Sequence, residues 1–386
     1  MDKISLAVLT PDYYPDFFAG IGVHAYSLVT SLKSIFDIDI TVFVLRCEHL
    51  IDKEPLVYEA PAGVTVYEFT SKKQQPTTEI DYLSFKWTRN NIVAVEFLGN
   101  KLKDFDFDIL HCHDMFPVWI MDFFKRKLQI PVVATVHGRE FDENKIEDAL
   151  RGFVCRTSDI CIAVSNSLAD ELQDRYGANN IKVVYNGVSS SKHSIGSTSK
   201  EDYITYCGRL DKLKGVHVLI NAFCELLKHN ENLRHIKLII MGDGTRMGEC
   251  ILLADSLGIS SNVRFTGKIP NEQAREIISK SLAHVVPSFY EPFATSALEA
   301  MEEGTFVIAS AIGGLKEMIN NSQTGLLIEP GDVNALMESI KKVLTDDAFR
   351  KSTEIDAKKA VRQFRWEIIS KQIMNVYLGL IADTAK

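Results

Sequence analysis

Short apolar runs alternate with amphipathic stretches of helical period from one end of the chain to the other, the pattern of a doubly wound α/β protein. In the first half these runs predict strands at 4–9, 40–45, 64–69, 108–111, 132–136, 160–164 and 182–184. The first helix shows its core face as Ile21, Ala25, Leu28, Val29 and Leu32, spaced with the period of a helix. At 189–199 the rhythm lapses into a small, polar, glycine-containing segment that reads as an interdomain linker. It then restarts, with strands expected at 203–207, 237–241, 263–266, 283–286 and 305–309, a helix over 215–228, and further βα units. The expected architecture is two αβ sandwiches facing each other: a first domain over 1–190, a linker at 191–202 and a second domain over 203–364. A final helical segment, 365–386, is expected to pack back on the first domain.

Composition narrows the class. At 386 residues and 46% hydrophobic, the chain can bury two cores of ordinary size. A net charge of −8 and no long basic run argue against nucleic acid as a partner. No apolar stretch is long enough to span a membrane and no signal-peptide pattern opens the chain, so an integral membrane segment is not expected and the cytoplasm is the expected location. Seven cysteines without a Cys-x-x-Cys pair lie mostly in apolar runs and read as reduced core residues. His-Cys-His-Asp at 111–114 invites a metal reading, but on a strand His111 and His113 share a face only with each other, and no metal site is expected.

The richest chemistry lies around Glu291 and Glu299. Pro292 suits a first helical turn, Thr295 and Ser296 can serve free amides, and 297–303 is strong helix former, so a helix is expected to start near 293. If the whole stretch were helical, the two carboxylates would stand about 12 Å apart along the axis. Glycosidase pairs need roughly 5 to 10 Å across one bond. The two glutamates therefore suit opposite ends of one ligand, with a diphosphate at the helix start between them, the layout of a sugar nucleotide. Two solvated helix charges are the alternative reading.

Other loops add to the first reading. Gly20-x-Gly22 follows the first strand too late for a dinucleotide fingerprint and is expected to form a glycine loop that lets backbone approach a ligand, or an ordinary turn. His137 and Gly138 end one strand, and His111 and Asp114 end another, where doubly wound sheets bind ligands, although a lone histidine is more often structural. The loop 207–215 brings Gly208, Arg209, Lys212 and Lys214 to a helix start, suited to holding a diphosphate and stabilising it as a leaving group. Gly242 in Met-Gly-Asp-Gly gives a tight strand end for a nucleotide pocket, and Ile269 can lie against the base.

Taken together these segments resemble the retaining GT-B glycosyltransferases of family 4, the group 1, glycogen-synthase-like superfamily. The resemblance spans nearly the whole chain: Ala-Gly-Ile-Gly at 19–22, His-Cys-His-Asp at 111–114, Thr-Val-His-Gly at 135–138, Val-Ser-Asn-Ser at 164–167, Tyr-Asn-Gly-Val at 185–188, Gly-Arg-Leu-Asp-Lys-Leu-Lys-Gly at 208–215, Met-Gly-Asp-Gly at 241–244, Glu-x7-Glu at 291–299, Gly-Gly-Leu-Lys-Glu at 313–317 and the run 324–332. It implies a GT-B fold of two Rossmann-like domains facing a central cleft. It implies that Arg209 and Lys214 hold a donor diphosphate, Glu299 the ribose and Glu291 the hexose, with His137 near the reacting centre. Gly20, Gly22, Gly208, Gly242, Ile269, Phe293, Ala294, Thr295 and Ser296 would line the donor, and Tyr14, His111 and Asp114 the acceptor, with further acceptor loops at 13–18 and 72–90.

No cofactor and no divalent metal is implied, since cations and helix amides neutralise the phosphates. The implied reaction is transfer of a hexosyl unit with retention, from UDP-glucose or UDP-N-acetylglucosamine, to a hydroxyl of a sugar, cyclitol or glycan. A glycogen or polysaccharide synthase, a phosphorylase-like enzyme and a non-catalytic sugar-nucleotide-binding subunit are alternatives, and oligomeric state is left open. Two departures stand out: Ala19 precedes Gly20 where the family often has a glycine pair, and Ala294 stands where Glu-x-Phe-Gly is common. The first loop also lacks the Lys-x-Gly-Gly of starch-synthase-like enzymes that use ADP-glucose.

Overall fold

The computed structural model describes residues 3–15, 17, 20–46, 54–69, 84–101, 105–115, 118–138, 145–191 and 199–384. Most of the expected linker, the loop 72–83, and Asp16, Phe18 and Ala19 of the first loop lie outside the described residues. The chain divides into two compact units, Met1–Gly187 with Trp366–Lys386, and Val188–Arg365.

The first unit is built on eight strands: β1 (Ile4–Thr10), β2 (Ile38–Leu45), β3 (Leu56–Ala60), β4 (Val64–Phe69), β5 (Ile109–His113), β6 (Val132–Val136), β7 (Ile160–Ala163) and β8 (Ile181–Val183). Their order across the sheet is β3-β4-β2-β1-β5-β6-β7-β8, parallel except for β3 against β4. Alternate residues of each strand face opposite sides. Leu6 and Val8 thus join a core under the helices Gly20–Ile35 and Trp366–Thr384, while Ala7 and Leu9 join a second core under the helices Ser84–Lys101 and Val118–Phe123. Burial on both faces is why these strands read as continuous apolar runs. The helix Trp366–Thr384 belongs to the first unit: Trp366, Ile369, Ile373 and Tyr377 are buried with Leu28 and Leu32, and Tyr377 Oη lies 2.6 Å from His111 Nδ1.

The second unit has six parallel strands: β9 (Tyr203–Cys207), β10 (Lys237–Met241), β11 (Val263–Gly267), β12 (Ala283–Val286), β13 (Phe306–Ser310) and β14 (Leu326–Ile328). They run β11-β10-β9-β12-β13-β14, so the order reverses at β9 and β12. That is the dinucleotide-type arrangement, in which ligands bind past the carboxyl ends of the strands flanking the reversal. In the first unit the same reversal falls at β1 and β5. The two units together make this a GT-B fold.

Some bounds differ from expectation. Strand β3 was not anticipated, because it is an antiparallel edge with Leu56 and Val57 about half exposed, and so lacks a buried run. The helix after β12 begins at Thr295 and not near 293. Phe293 is buried against Phe364, and Ala294 is extended with φ −82° and ψ 94°, so tertiary packing of Phe293 overrides the local helix propensity. Gly20 and Gly22 are the first turn of the helix Gly20–Ile35 and not a free loop.

Candidate functional site

In the second unit the loops after β9 and β12 interlock. Asp211 accepts from Lys214 N at 3.1 Å and so caps a single 3-10 turn, Lys212–Lys214. Gly215 leaves that turn with φ +65°, with Pro287 carbonyl oxygen packed where a Cβ would sit. Phe289 N donates to Leu213 O at 2.6 Å. This contact sets Lys214 opposite Glu291, and its Nζ lies 2.8 Å from Glu291 Oε2, both side chains mostly buried. Ser288 Oγ donates to the same oxygen at 3.3 Å. Gly215→Val is expected to cost at least about 1–3 kcal/mol from backbone conformation alone, read as a fall in the urea midpoint.

Glu291 stands in the loop ahead of the helix Thr295–Glu302, and Glu299 within it. The separation by a continuous helix assumed from the sequence therefore does not apply. No side chain caps this helix, so Thr295 and Ser296 occupy its first turn without capping it, and its first amides remain for a ligand. The negative φ of Ala294 carries its methyl without strain. Phe293 and Ala294 are both buried, which leaves backbone as what they offer a donor. Gly313, at φ +44°, packs on the Glu291 carbonyl, and Gly314 N donates to that oxygen at 3.3 Å. The segment 313–317 thus braces Glu291.

Glu299 is buried, and burial raises its pKa above the usual carboxylate range; a hydrogen bond from Asn271 Nδ2 at 2.8 Å and the nearby Arg275 guanidinium oppose that shift. Asn271 and Ser288 are neighbours that sequence reasoning missed, whereas Gly313 belongs to the 313–317 motif, named there without a role. Only Asn271 left a signal, following Pro270 at a helix start. Gly208, Gly242 and Gly267 lace the ends of β9, β10 and β11 together through Gly208 N to Met241 O at 3.0 Å and Gly242 N to Gly267 O at 2.9 Å. Half-buried Ile269 follows β11. Arg209 is about half exposed, with Nε 3.5 Å from Asp211 Oδ2.

The residues expected in the first half lie in the first unit. Tyr14 stacks on Tyr26 at 5.4 Å, and its carbonyl accepts from Tyr58 Oη at 2.5 Å. Gly20 is exposed, while Gly22 is buried with the Asp12 carboxylate where a Cβ would sit. His111 is fully buried, with Nδ1 on Tyr377 Oη at 2.6 Å and Nε2 on Thr135 Oγ1 at 2.7 Å. Both nitrogens are spent inside the core, so its place is structural and not acceptor binding. Asp114 is buried beside Arg151, 3.4 Å from its Nε. His137 lies one residue past β6, with Nε2 3.2 Å from His113 Nδ1. Burial lowers its pKa while the Asp114 charge raises it.

Two Rossmann-like units, one carrying a lysine–glutamate pair at its strand reversal, define a GT-B glycosyltransferase. Comparison with known proteins agrees. The model of glycosyltransferase family 4 matches residues 18–192, and that of glycosyl transferases group 1 matches 189–360. An uncharacterized glycosyltransferase of Methanocaldococcus jannaschii is 28% identical over 97% of this chain and 98% of its own length. Among solved structures, sucrose-phosphate synthase of Thermosynechococcus elongatus superposes with a TM-score of 0.81 at 20% identity, over 99% of this chain and 100% of that one. Anabaena HepE in complex with UDP-glucose superposes with a TM-score of 0.72 at 18% identity, over 97% of this chain and 100% of that one. The chain belongs to the family 4, group 1 glycosyltransferases, enzymes of carbohydrate biosynthesis. Among the described residues no helix is long and apolar enough to cross a membrane.

Proposed function

We propose that the protein is a retaining hexosyltransferase that takes a hexosyl unit from UDP-glucose or UDP-N-acetylglucosamine and places it on a hydroxyl of a sugar, cyclitol or glycan. The observation that carries this reading is the Lys214–Glu291 pair, 2.8 Å apart at the strand reversal and ahead of an uncapped helix start. A carboxylate accepts hydrogen bonds from sugar hydroxyls, and the ammonium has further donors for phosphate oxygens. Arg209, Lys214 and the first amides of the helix supply the charge neutralisation that a divalent ion provides elsewhere, so transfer needs none.

In the proposed step the bond from the anomeric carbon to the diphosphate oxygen breaks, and the acceptor oxygen bonds to that carbon on the same face. The acceptor proton passes to the departing phosphate oxygen. Lys214 and Arg209 stabilise the charge on that leaving group, Glu291 fixes the hexose and Glu299 the ribose. His137 is assigned to the hexose on the strength of the family resemblance. The UDP form of the donor draws support from the UDP-glucose complex of HepE. Proton NMR of the product tests retention: an α-linked product from the α-linked donor is expected, and a β-linked product would sink the reading.

The environment of Glu299 gives a pH signature. Ribose hydroxyls donate to the ionised carboxylate, whereas burial favours its protonated form. Donor affinity is therefore full at neutral pH and falls on acidification, beginning at a higher pH than for an ordinary glutamate. Glu299→Gln is expected to weaken UDP binding about tenfold and to flatten that acid limb. Calorimetric titration between pH 4.5 and 8 checks this, and an unchanged limb in the variant would remove Glu299 from the site.

A further inference from the structure

Three histidines meet where the first sheet reverses. His24 lies in the helix after β1, His113 ends β5 and His137 follows β6. Their rings lie edge to face or stacked, with centroids 5.3 Å apart for His24 and His113, 4.6 Å for His24 and His137, and 5.5 Å for His113 and His137. Trp366 closes one side at 5.0 Å from the His24 ring. His24 and His113 are buried; Nε2 of His113 has no hydrogen-bond partner, and the ring nitrogens of His24 have none of good geometry, the Asn186 side chain lying beside the ring.

That arrangement is costly for a hydrogen-bonded core. A neutral imidazole carries one donor and one acceptor, and each one buried without a partner costs about 1–3 kcal/mol. The neighbouring His111 shows the ordinary solution, with a hydroxyl on each nitrogen. Burial holds His24, His113 and His137 below the usual imidazole range, so their lone pairs are available.

One candidate ligand atom from each of the three residues lies within 4.8 Å of the other two. A tetrahedral ion with Zn–N bonds of about 2.0–2.1 Å sets its nitrogens about 3.3 Å apart. His113 Nδ1 and His137 Nε2, at 3.2 Å, already meet that spacing.

We infer that His24, His113 and His137 form a binding site for a divalent transition ion, zinc foremost, with the fourth coordination position open. Three imidazoles suit zinc, cobalt, nickel or copper, whereas magnesium and calcium call for oxygen ligands. The unpartnered Oδ1 of Asn186, which adjoins His24, can hold a water on the ion, and Asp114 lies close enough to His137 to act on its charge. The ion serves no step of the proposed transfer. It occupies the nitrogen of His137, so it acts against the enzyme.

The test is titration of the full-length, chelator-stripped protein with Zn²⁺ and Co²⁺, without sugar nucleotide. Expected are one tight equivalent per chain by calorimetry, the intense visible bands of four-coordinate cobalt, and no response to Mg²⁺. His24→Phe and His113→Asn should each weaken the first equivalent by at least about tenfold. Zinc should also slow glycosyl transfer, with EDTA restoring it. Absence of a tight equivalent in the wild-type protein overturns the inference whatever the variants do. So does an equivalent that persists in the folded double variant, which would place the ion on exposed histidines such as His229 or His235. Because no donor is present in the titration, its failure leaves the transferase reading standing.

Discussion

Glu291→Gln is expected to lower kcat on the order of 10³-fold, close to 4 kcal/mol of transition-state stabilisation. Glutamine keeps the size of the side chain and an acceptor for Lys214 Nζ, now 2.8 Å from Oε2, but removes the negative charge. In the proposed reaction positive charge develops at the anomeric carbon as the diphosphate departs, and a carboxylate on the hexose favours that state more than the bound donor. The loss should therefore fall on kcat, with UDP affinity little changed, because UDP lacks the hexose that Glu291 holds. The urea midpoint should stay near that of the wild-type protein. A folded Glu291→Gln enzyme with near-normal turnover would remove Glu291 from the chemistry.

Lys214→Ala is expected to lower turnover by about 10²–10³-fold and, unlike the first variant, to weaken UDP binding as well. The ammonium neutralises the diphosphate both when bound and as it leaves. The truncation also costs stability, since it leaves the mostly buried Glu291 carboxylate without its cation. Combining Lys214→Ala with Glu291→Gln separates the two effects: stability should recover because the orphaned charge is gone, whereas activity should not. Recovery of activity in the double variant would show that Lys214 acts only as a structural counter-ion.

The strands were legible because they are buried on both faces. Runs such as 132–136, whose one polar residue is Thr135, and 238–241 are apolar enough to read directly, and all twelve strands named from the sequence differ from the observed bounds by two residues or fewer at each end. The edge strand β3 escaped because exposed Leu56 and Val57 break the alternation a half-buried strand would show. The helix start at Thr295 was misplaced because 292–294 is locally compatible with helix, and only the burial of Phe293 against Phe364 holds that segment extended.

Site residues were found as types but not as partners. Lys214 and Glu291 are 77 residues apart and meet because β9 lies beside β12, a consequence of strand order that no local spacing encodes. The same reasoning explains His24, which the helix after β1 brings to His113 and His137 at the ends of β5 and β6. Read along one strand, His113 had only His111 beside it, and His111 proved to be committed to Tyr377 and Thr135.

Calorimetric titration with UDP, GDP, ADP and their hexose conjugates, in EDTA throughout, tests most directly that the second unit holds a nucleotide-sugar donor by its own cations. Selective binding of a UDP ligand that persists in EDTA and is weakened by Lys214→Ala is the expected result. Binding of none of these ligands, or binding restored only by adding Mg²⁺, would contradict it.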